Sequence, residues 1–116
     1  MWTWAHIDLQ PLRVPTGWMV KYNQLMEIDP DPAALDLDAA LSIFKQDLLQ
    51  VYSPGRNRLV DVGWAPDGDL EEGAYGLVVY EGDFHGQLLH EFDTRSRPDL
   101  VAELERVFHA AGFHPM

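Results

Sequence analysis

The five histidines, His6, His85, His90, His109 and His114, are the first candidates for metal or acid–base chemistry. Zinc needs imidazoles that converge, and on a helix H-x-x-x-H spacing puts two rings on one face. His85 and His90 are five apart across an expected turn, and His109 and His114 are five apart across an expected helix stop, so neither pair fits. The hydroxyls with a claim to nucleophilic chemistry are Thr16, Ser53 and Thr94. A nucleophile needs a base and a group to orient that base. None of the three stands in a G-x-S-x-G elbow. Ser42 and Ser96 have ordinary places on a helix surface and at a helix cap. The chain has no cysteine, which removes disulfides, thiolate metal sites and thiol nucleophiles. It also lacks a P-loop and a G-x-G-x-x-G turn. The expectation is no catalytic residue, no metal ligand and no cofactor.

Carboxylates are the remaining chemical resource. Asp67-x-Asp69-x-Glu71 has the spacing of the first ligands of a calcium loop. Such a loop needs Gly at its sixth position and a bidentate Glu at its twelfth. Here those positions are Glu72 and Val78, so the loop is not of the EF-hand kind. Carboxylate pairs suited to glycoside hydrolysis arise by chance among nineteen acids and carry no signal here.

The distribution of charge is more informative. Nineteen acids against eight bases give a net charge of −11. That surface repels nucleic acid and anionic membranes and steers basic partners toward itself. Five acids and no base lie between Glu27 and Asp38, and six acids and no base between Asp67 and Asp83. From these runs Asp29, Asp31, Asp67, Asp69, Glu71, Glu72 and Asp83 are the candidate partner contacts, because loop carboxylates are exposed and repel one another until a cation meets them. Trp64, Tyr75 and Phe84 flank the runs as possible interface anchors, with the core as the alternative place for each. Trp64 is grouped with the acids as a partner-binding candidate. The competing reading of the acids is a solvated surface that keeps the protein soluble.

These residues must be carried by a small scaffold. A length of 116 residues with 47% hydrophobic residues suits one domain with its own core. Alternation predicts strands over 2–9 and 18–28, paired antiparallel around Pro11 and Pro15-Thr16-Gly17. Trp18, Val20, Tyr22, Met26 and Ile28 share one face of the second. A helix capped near Asp36 or Asp38 is expected to run to Val51, with Leu37, Leu41, Phe44, Leu48 and Val51 as its buried stripe. Strands follow over 59–64, 75–80 and 88–92, the middle one apolar on both faces and therefore central. Gly63, Gly68, Gly73 and Gly76 read as turn and bulge residues. A last helix starts at the cap Ser96, with Asp99 completing a capping box, buries Leu100, Val101, Leu104, Val107, Phe108 and Ala111, and stops at Gly112. The fold class is therefore α+β, a single domain over residues 1–116 in the order β-β-α-β-β-β-α. Its sheet is mainly antiparallel, with both helices packed on one face. The N-terminus does not read as a signal peptide and no stretch is long enough to span a bilayer; with the lack of cysteine this points to the cytoplasm.

Several segments carry a family resemblance. They are Pro11-Leu12-Arg13-Val14-Pro15-Thr16-Gly17-Trp18, Val20-Lys21-Tyr22-Asn23, Glu27-Ile28-Asp29-Pro30 and Asp47-Leu48-Leu49. Val62-Gly63-Trp64-Ala65-Pro66-Asp67-Gly68-Asp69 and Leu88-Leu89-His90-Glu91-Phe92-Asp93-Thr94-Arg95 complete the set. The pattern resembles small bacterial immunity proteins encoded beside polymorphic toxins, including those of contact-dependent growth inhibition. The matching residues belong to strands and turns, so they bear on fold more than on task. Where the family pattern has an aromatic after the glycine–tryptophan pair, this chain has Ala65, a place where partner choice could be tuned. The resemblance implies a non-enzymatic inhibitor that binds a cognate toxin domain in the cytoplasm and covers its active or substrate-binding surface. Many such toxins are basic nucleases, which an acidic inhibitor suits. Two other classes compete: a small enzyme or ligand-binding domain with a pocket between sheet and helices, and a homodimeric adaptor joined at a sheet edge. The sequence does not decide whether the free protein is a monomer or a dimer.

Overall fold

Apolar residues alternate along three consecutive segments of the chain, and each alternation becomes a strand with one buried side. The computed structural model describes residues 7–110. Its elements are β1 (Met19–Asn23), α1 (Leu37–Ile43), β2 (Leu49–Ser53), β3 (Arg58–Ala65), β4 (Ala74–Glu81), β5 (Leu88–Thr94) and α2 (Arg97–Ala110). The strands form one sheet in the order β1-β2-β3-β4-β5, and each neighbouring pair is antiparallel. The expected α+β architecture, one antiparallel sheet with two helices, is what the chain adopts.

The register sorts side chains to two faces. Val51, Val60 and Val79 lie in line across β2, β3 and β4, as do Leu49, Val62 and Leu77, and all six are 0% exposed. α2 covers this face with Leu100, Leu104, Val107 and Phe108, and α1 adds Ala39, Ala40 and Ile43 to the same core. Burying one such aliphatic side chain contributes about 1.5–3 kcal/mol. Trp64 stands in the centre, edge-on to Tyr75 at 4.9 Å and to Phe44 at 5.0 Å between ring centroids. Trp18 closes the far end, its indole donating to the Phe108 carbonyl at 3.2 Å. Among the described residues the other face of the sheet carries no helix.

Three local expectations change. The helix expected to reach Val51 stops at Ile43, and Leu49–Ser53 is β2. Leu49, Val51 and Ser53 are buried while Gln50 and Tyr52 are only half-buried, a period of two that the paired β1 and β3 ladders enforce. The stripe changes with it. Leu37 is 66% exposed and Leu41 44%, whereas Ala39, Ala40, Ile43 and Phe44 are buried. Asp36 is the N-cap, as anticipated, accepting the Ala39 N–H at 2.8 Å.

The second change is in β1, which is bulged between Val20 and Tyr22 and ends at Asn23. The bulge breaks the single apolar face read from Trp18 to Ile28, because Val20 pairs with Val51 of the covered face whereas Tyr22 pairs with Gln50 of the other. Val20, on the edge strand, is 51% exposed. Residues 2–6 of the expected first strand lie outside the described residues. The antiparallel pairing is present where it is described: Leu9 bridges Met26, flanked by Gln10 N–H to the Leu25 carbonyl at 2.8 Å and Glu27 N–H to the Asp8 carbonyl at 2.9 Å.

The third concerns the ends of α2. Ser96 Oγ accepts the Asp99 N–H at 3.2 Å, but the reciprocal half of the capping box is made elsewhere, by Ser96 N–H donating to Thr94 Oγ1 at 3.1 Å. The Asp side chain is one methylene shorter than the Glu that usually completes the box. Ala111 and Gly112 lie outside the described residues.

Gly63 is a mid-strand residue with a specific duty. A Cβ there would lie 1.8 Å from the Gln46 carbonyl oxygen. The chain between α1 and β2 runs close beside β3 at this point, with Trp64 N–H donating to Lys45 and Leu48 N–H donating to Val62. Only glycine admits that approach.

Candidate functional site

The two acidic runs meet at one end of the sheet. The residues around α1 and the loop after β3 together line a hollow of about 230 Å³ whose walls include Asp36, Leu37, Asp69 and Glu71. The contact is made by backbone: Gly68 N–H donates to the Phe44 carbonyl at 2.7 Å. Gly68 has φ +69°, and a Cβ there would press on Leu41 at 2.7 Å. Asp67, Glu71 and Glu72 are exposed. Leu37 and Leu41, exposed on the outer side of α1, add apolar area beside the carboxylates.

The remaining candidates are distributed differently. Asp69 is part of the loop's own construction, since its Oδ1 accepts the N–H groups of Glu71 at 3.2 Å and Glu72 at 2.9 Å. That use of the carboxylate also replaces the calcium-ligand role its spacing suggested. Asp31 Oδ1 likewise accepts the Ala33 N–H at 2.9 Å, and Asp83 Oδ1 the His85 N–H at 2.8 Å. Asp29 is bound to Arg97 Nε at 3.0 Å. Asp83 stands apart, because β4 runs for eight residues between the loop after β3 and the turn that holds it. That is roughly 25 Å of strand. The second run is thus two separate acidic groups.

Trp64 is not available as an interface anchor. It is 0% exposed, and its indole N–H donates to the Asp69 carbonyl at 3.1 Å. Tyr75 is equally buried, and only Phe84, 50% exposed and edge-on to Tyr80 at 5.5 Å, stands at the surface. The role of Trp64 is to hold the acidic loop from beneath. Arg95 joins it: the guanidinium lies 5.9 Å from the Trp64 ring centroid and donates to the Leu70 and Gly73 carbonyls. A base from β5's end therefore underlies a loop that has no base of its own.

Two of the three hydroxyls considered as nucleophiles are also occupied by local structure. Ser53, 0% exposed, accepts from the Arg56 backbone at 3.4 Å and from its guanidinium at 3.2 Å, and Thr94 caps as described. Among the described residues no three His, Asp or Glu side chains are grouped to hold a metal ion. His90 meets Glu103 at 2.5 Å, and Arg106 bonds the same carboxylate at 2.7 Å. Hydrogen bonding from Arg106, joined by that from His90, holds the Glu103 carboxyl down at about 2.

The helix-free face contains residues that sequence reasoning did not assign to a site, and Gly63 and Gly76, expected in turns or bulges, stand within β3 and β4. Gly63 pairs with Gly76, and Gly76 with Asp93; Gln50, Asp61, Val78 and Glu91 form the adjacent row. Burial pushes the Asp61 carboxyl up to about 6, with the nearby Asp47 charge adding to it and Gln50 opposing. Burial also lifts the Tyr22 phenol to about 12, assisted by Asp61 and Asp47. Alternation within β3 and β4 was the available signal. Asp61 sits between two buried valines, and Gly63 and Gly76 fall at positions where a two-faced strand carries a side chain.

Comparison with known protein families, curated proteins and solved structures finds no match. Among the described residues no helix is long and apolar enough to cross a membrane.

Proposed function

We propose that this chain is an inhibitor of the immunity type, which captures a basic toxin domain and covers its active or substrate-binding surface. The observation that carries this reading is the convergence of the two acidic runs around Asp36, Asp69 and Glu71, with Leu37 and Leu41 exposed beside them. Charge at the rim speeds the encounter, and apolar side chains at the centre supply lasting contact. Asp67, Glu71 and Glu72 face solvent on the loop whose Gly68 packs against Leu41, and Arg95 and Trp64 hold that loop in a fixed shape. Pre-set loops bind with less ordering cost than mobile ones. The resemblance of the strand and turn segments to toxin-immunity proteins supports the choice of partner class.

The test is co-purification with the product of the adjacent upstream gene, paired with survival of cells expressing that product. Binding and survival are expected with the intact chain. Both are expected to fall with Asp67→Asn, Glu71→Gln and Glu72→Gln combined. A folded protein that neither binds nor protects would end the immunity reading.

A further inference from the structure

The helix-free face has a trough about 310 Å³ in volume whose lining includes Gln46, Asp61, Gly63, Gly76 and Asp93. Its open floor is the bare peptide at Gly76, while Gly63, paired with it across β3 and β4, lies under the Gln46 carbonyl. The next pair along, Ala65 and Ala74, continues the low floor toward the acidic loop. The walls accept hydrogen bonds. Asp61 precedes Gly63 by two residues on β3 and so shares its face. Asp93 pairs with Gly76 from β5, and its Oδ1 lies only 3.4 Å from where a Gly76 Cβ would be. The Gln46 carbonyl oxygen overhangs Gly63 from the third side. Among the described residues no Lys, Arg or His lines the trough.

A flat floor with two carboxylates and a carbonyl around it has the complement of a planar cation with several donors. An arginine guanidinium carries five N–H groups in a fixed fork and stacks on flat surfaces, whereas a lysine ammonium is a compact point charge. We infer that this trough receives an arginine side chain of a basic protein partner, held between Asp61 and Asp93 with its plane against Gly76. The inference rests on the proposed capture of a basic partner and adds the helix-free sheet face to the contact. The arginine lies over the sheet with the acidic loop at its shoulder, since Ala65 and Ala74 join trough to loop. Burial of Asp61 fits the same picture, because an incoming cation replaces the solvation that its carboxylate has lost.

The partner's chemistry can be probed with capped hexa-arginine and hexa-lysine peptides added to the full chain at low ionic strength, followed by amide NMR shifts. Hexa-arginine is expected to shift Gly63, Gly76 and Asp93 and to bind more tightly than hexa-lysine. Gly76→Val fills the floor, and Asp93→Asn removes an acceptor while leaving the floor open. Each is expected to weaken hexa-arginine by about tenfold, the order of one charge-assisted hydrogen bond. Asp99→Asn removes the same charge from α2, on the covered side, and is expected to weaken it by less than about twofold. Shifts confined to Glu71 and Glu72, with both trough variants binding as the parent does, would overturn the trough and leave the acidic-loop reading standing. Equal affinity for the two peptides would overturn the guanidinium. Absence of binding by either peptide would count against trough and basic-partner reading together.

Discussion

Arg95 lies over the indole of Trp64, 5.9 Å from its centroid, and the same guanidinium donates to two carbonyls of the acidic loop. The base thus binds the loop's backbone and leaves its exposed carboxylates outward. Arg95→Ala is expected to cost about 1–3 kcal/mol, from the lost charge-assisted bonds and ring contact. The check is urea unfolding together with hydrogen exchange at Gly73, which should quicken. Arg95→Lys should recover less than half, since one ammonium cannot serve both carbonyls as a fork does.

Trp64 separates a core role from a contact role. Trp64→Ala is expected to destabilise by about 3–5 kcal/mol, the cost of emptying a packed aromatic site. Trp64→Phe keeps most of the volume and loses the donor to Asp69, so a smaller loss is expected, about 1–3 kcal/mol. Denaturant midpoints measure both. Unchanged stability in Trp64→Ala would show that the indole does not support the loop.

Asp61 sets a pH dependence of one sign. Its carboxyl is raised from 3.8 to about 6, so the native state holds its proton more tightly than the unfolded chain does. This contribution is fully present below about pH 4 and is lost as pH rises toward 6. Asp61→Asn should therefore stabilise the protein at pH 7 and flatten the slope between pH 4 and 6. Urea titrations at those pH values, with carboxyl NMR, test it.

Glu103 acts in the opposite direction. Its carboxyl is lowered from 4.5 to about 2, chiefly by Arg106 and then His90. The stabilisation it contributes is present above pH 4.5 and disappears as pH falls toward 2. Glu103→Gln should remove that acid sensitivity and lower stability at pH 7. Thermal unfolding of the parent and variant at pH 2.5, 4.5 and 7 decides the matter.

Much of the scaffold was legible because its rule is local. Val60 and Val62, then Tyr75, Leu77 and Val79, alternate without interruption, and the turn residues around them stand in sequence. Ser96 and Asp36 could be read as caps for the same reason. Leu49–Ser53 could not be settled locally, since Leu48 and Val51 also fit a helical stripe; only pairing with β1 and β3 selects the strand. The site was legible as charge but not as geometry. The acids of both runs are plain in sequence, whereas their meeting depends on Gly68 donating to Phe44, a contact across twenty-four positions. Asp61 and Asp93 were hidden because each is ordinary in its own strand and acquires meaning only from the bare pair Gly63–Gly76 between them.

The order of the strands has a consequence for synthesis. Each strand lies beside the one made just before it, so hairpins can close as the chain leaves the ribosome. The cover for their oily side comes last, from Leu100, Leu104, Val107 and Phe108. At ordinary translation speeds that side lacks its α2 cover for a few seconds, about the time needed to add the intervening thirty or so residues. A nascent chain halted before α2 therefore presents a finished sheet without the cover of Leu100, Leu104, Val107 and Phe108, the form most prone to stick to its neighbours and to draw chaperones.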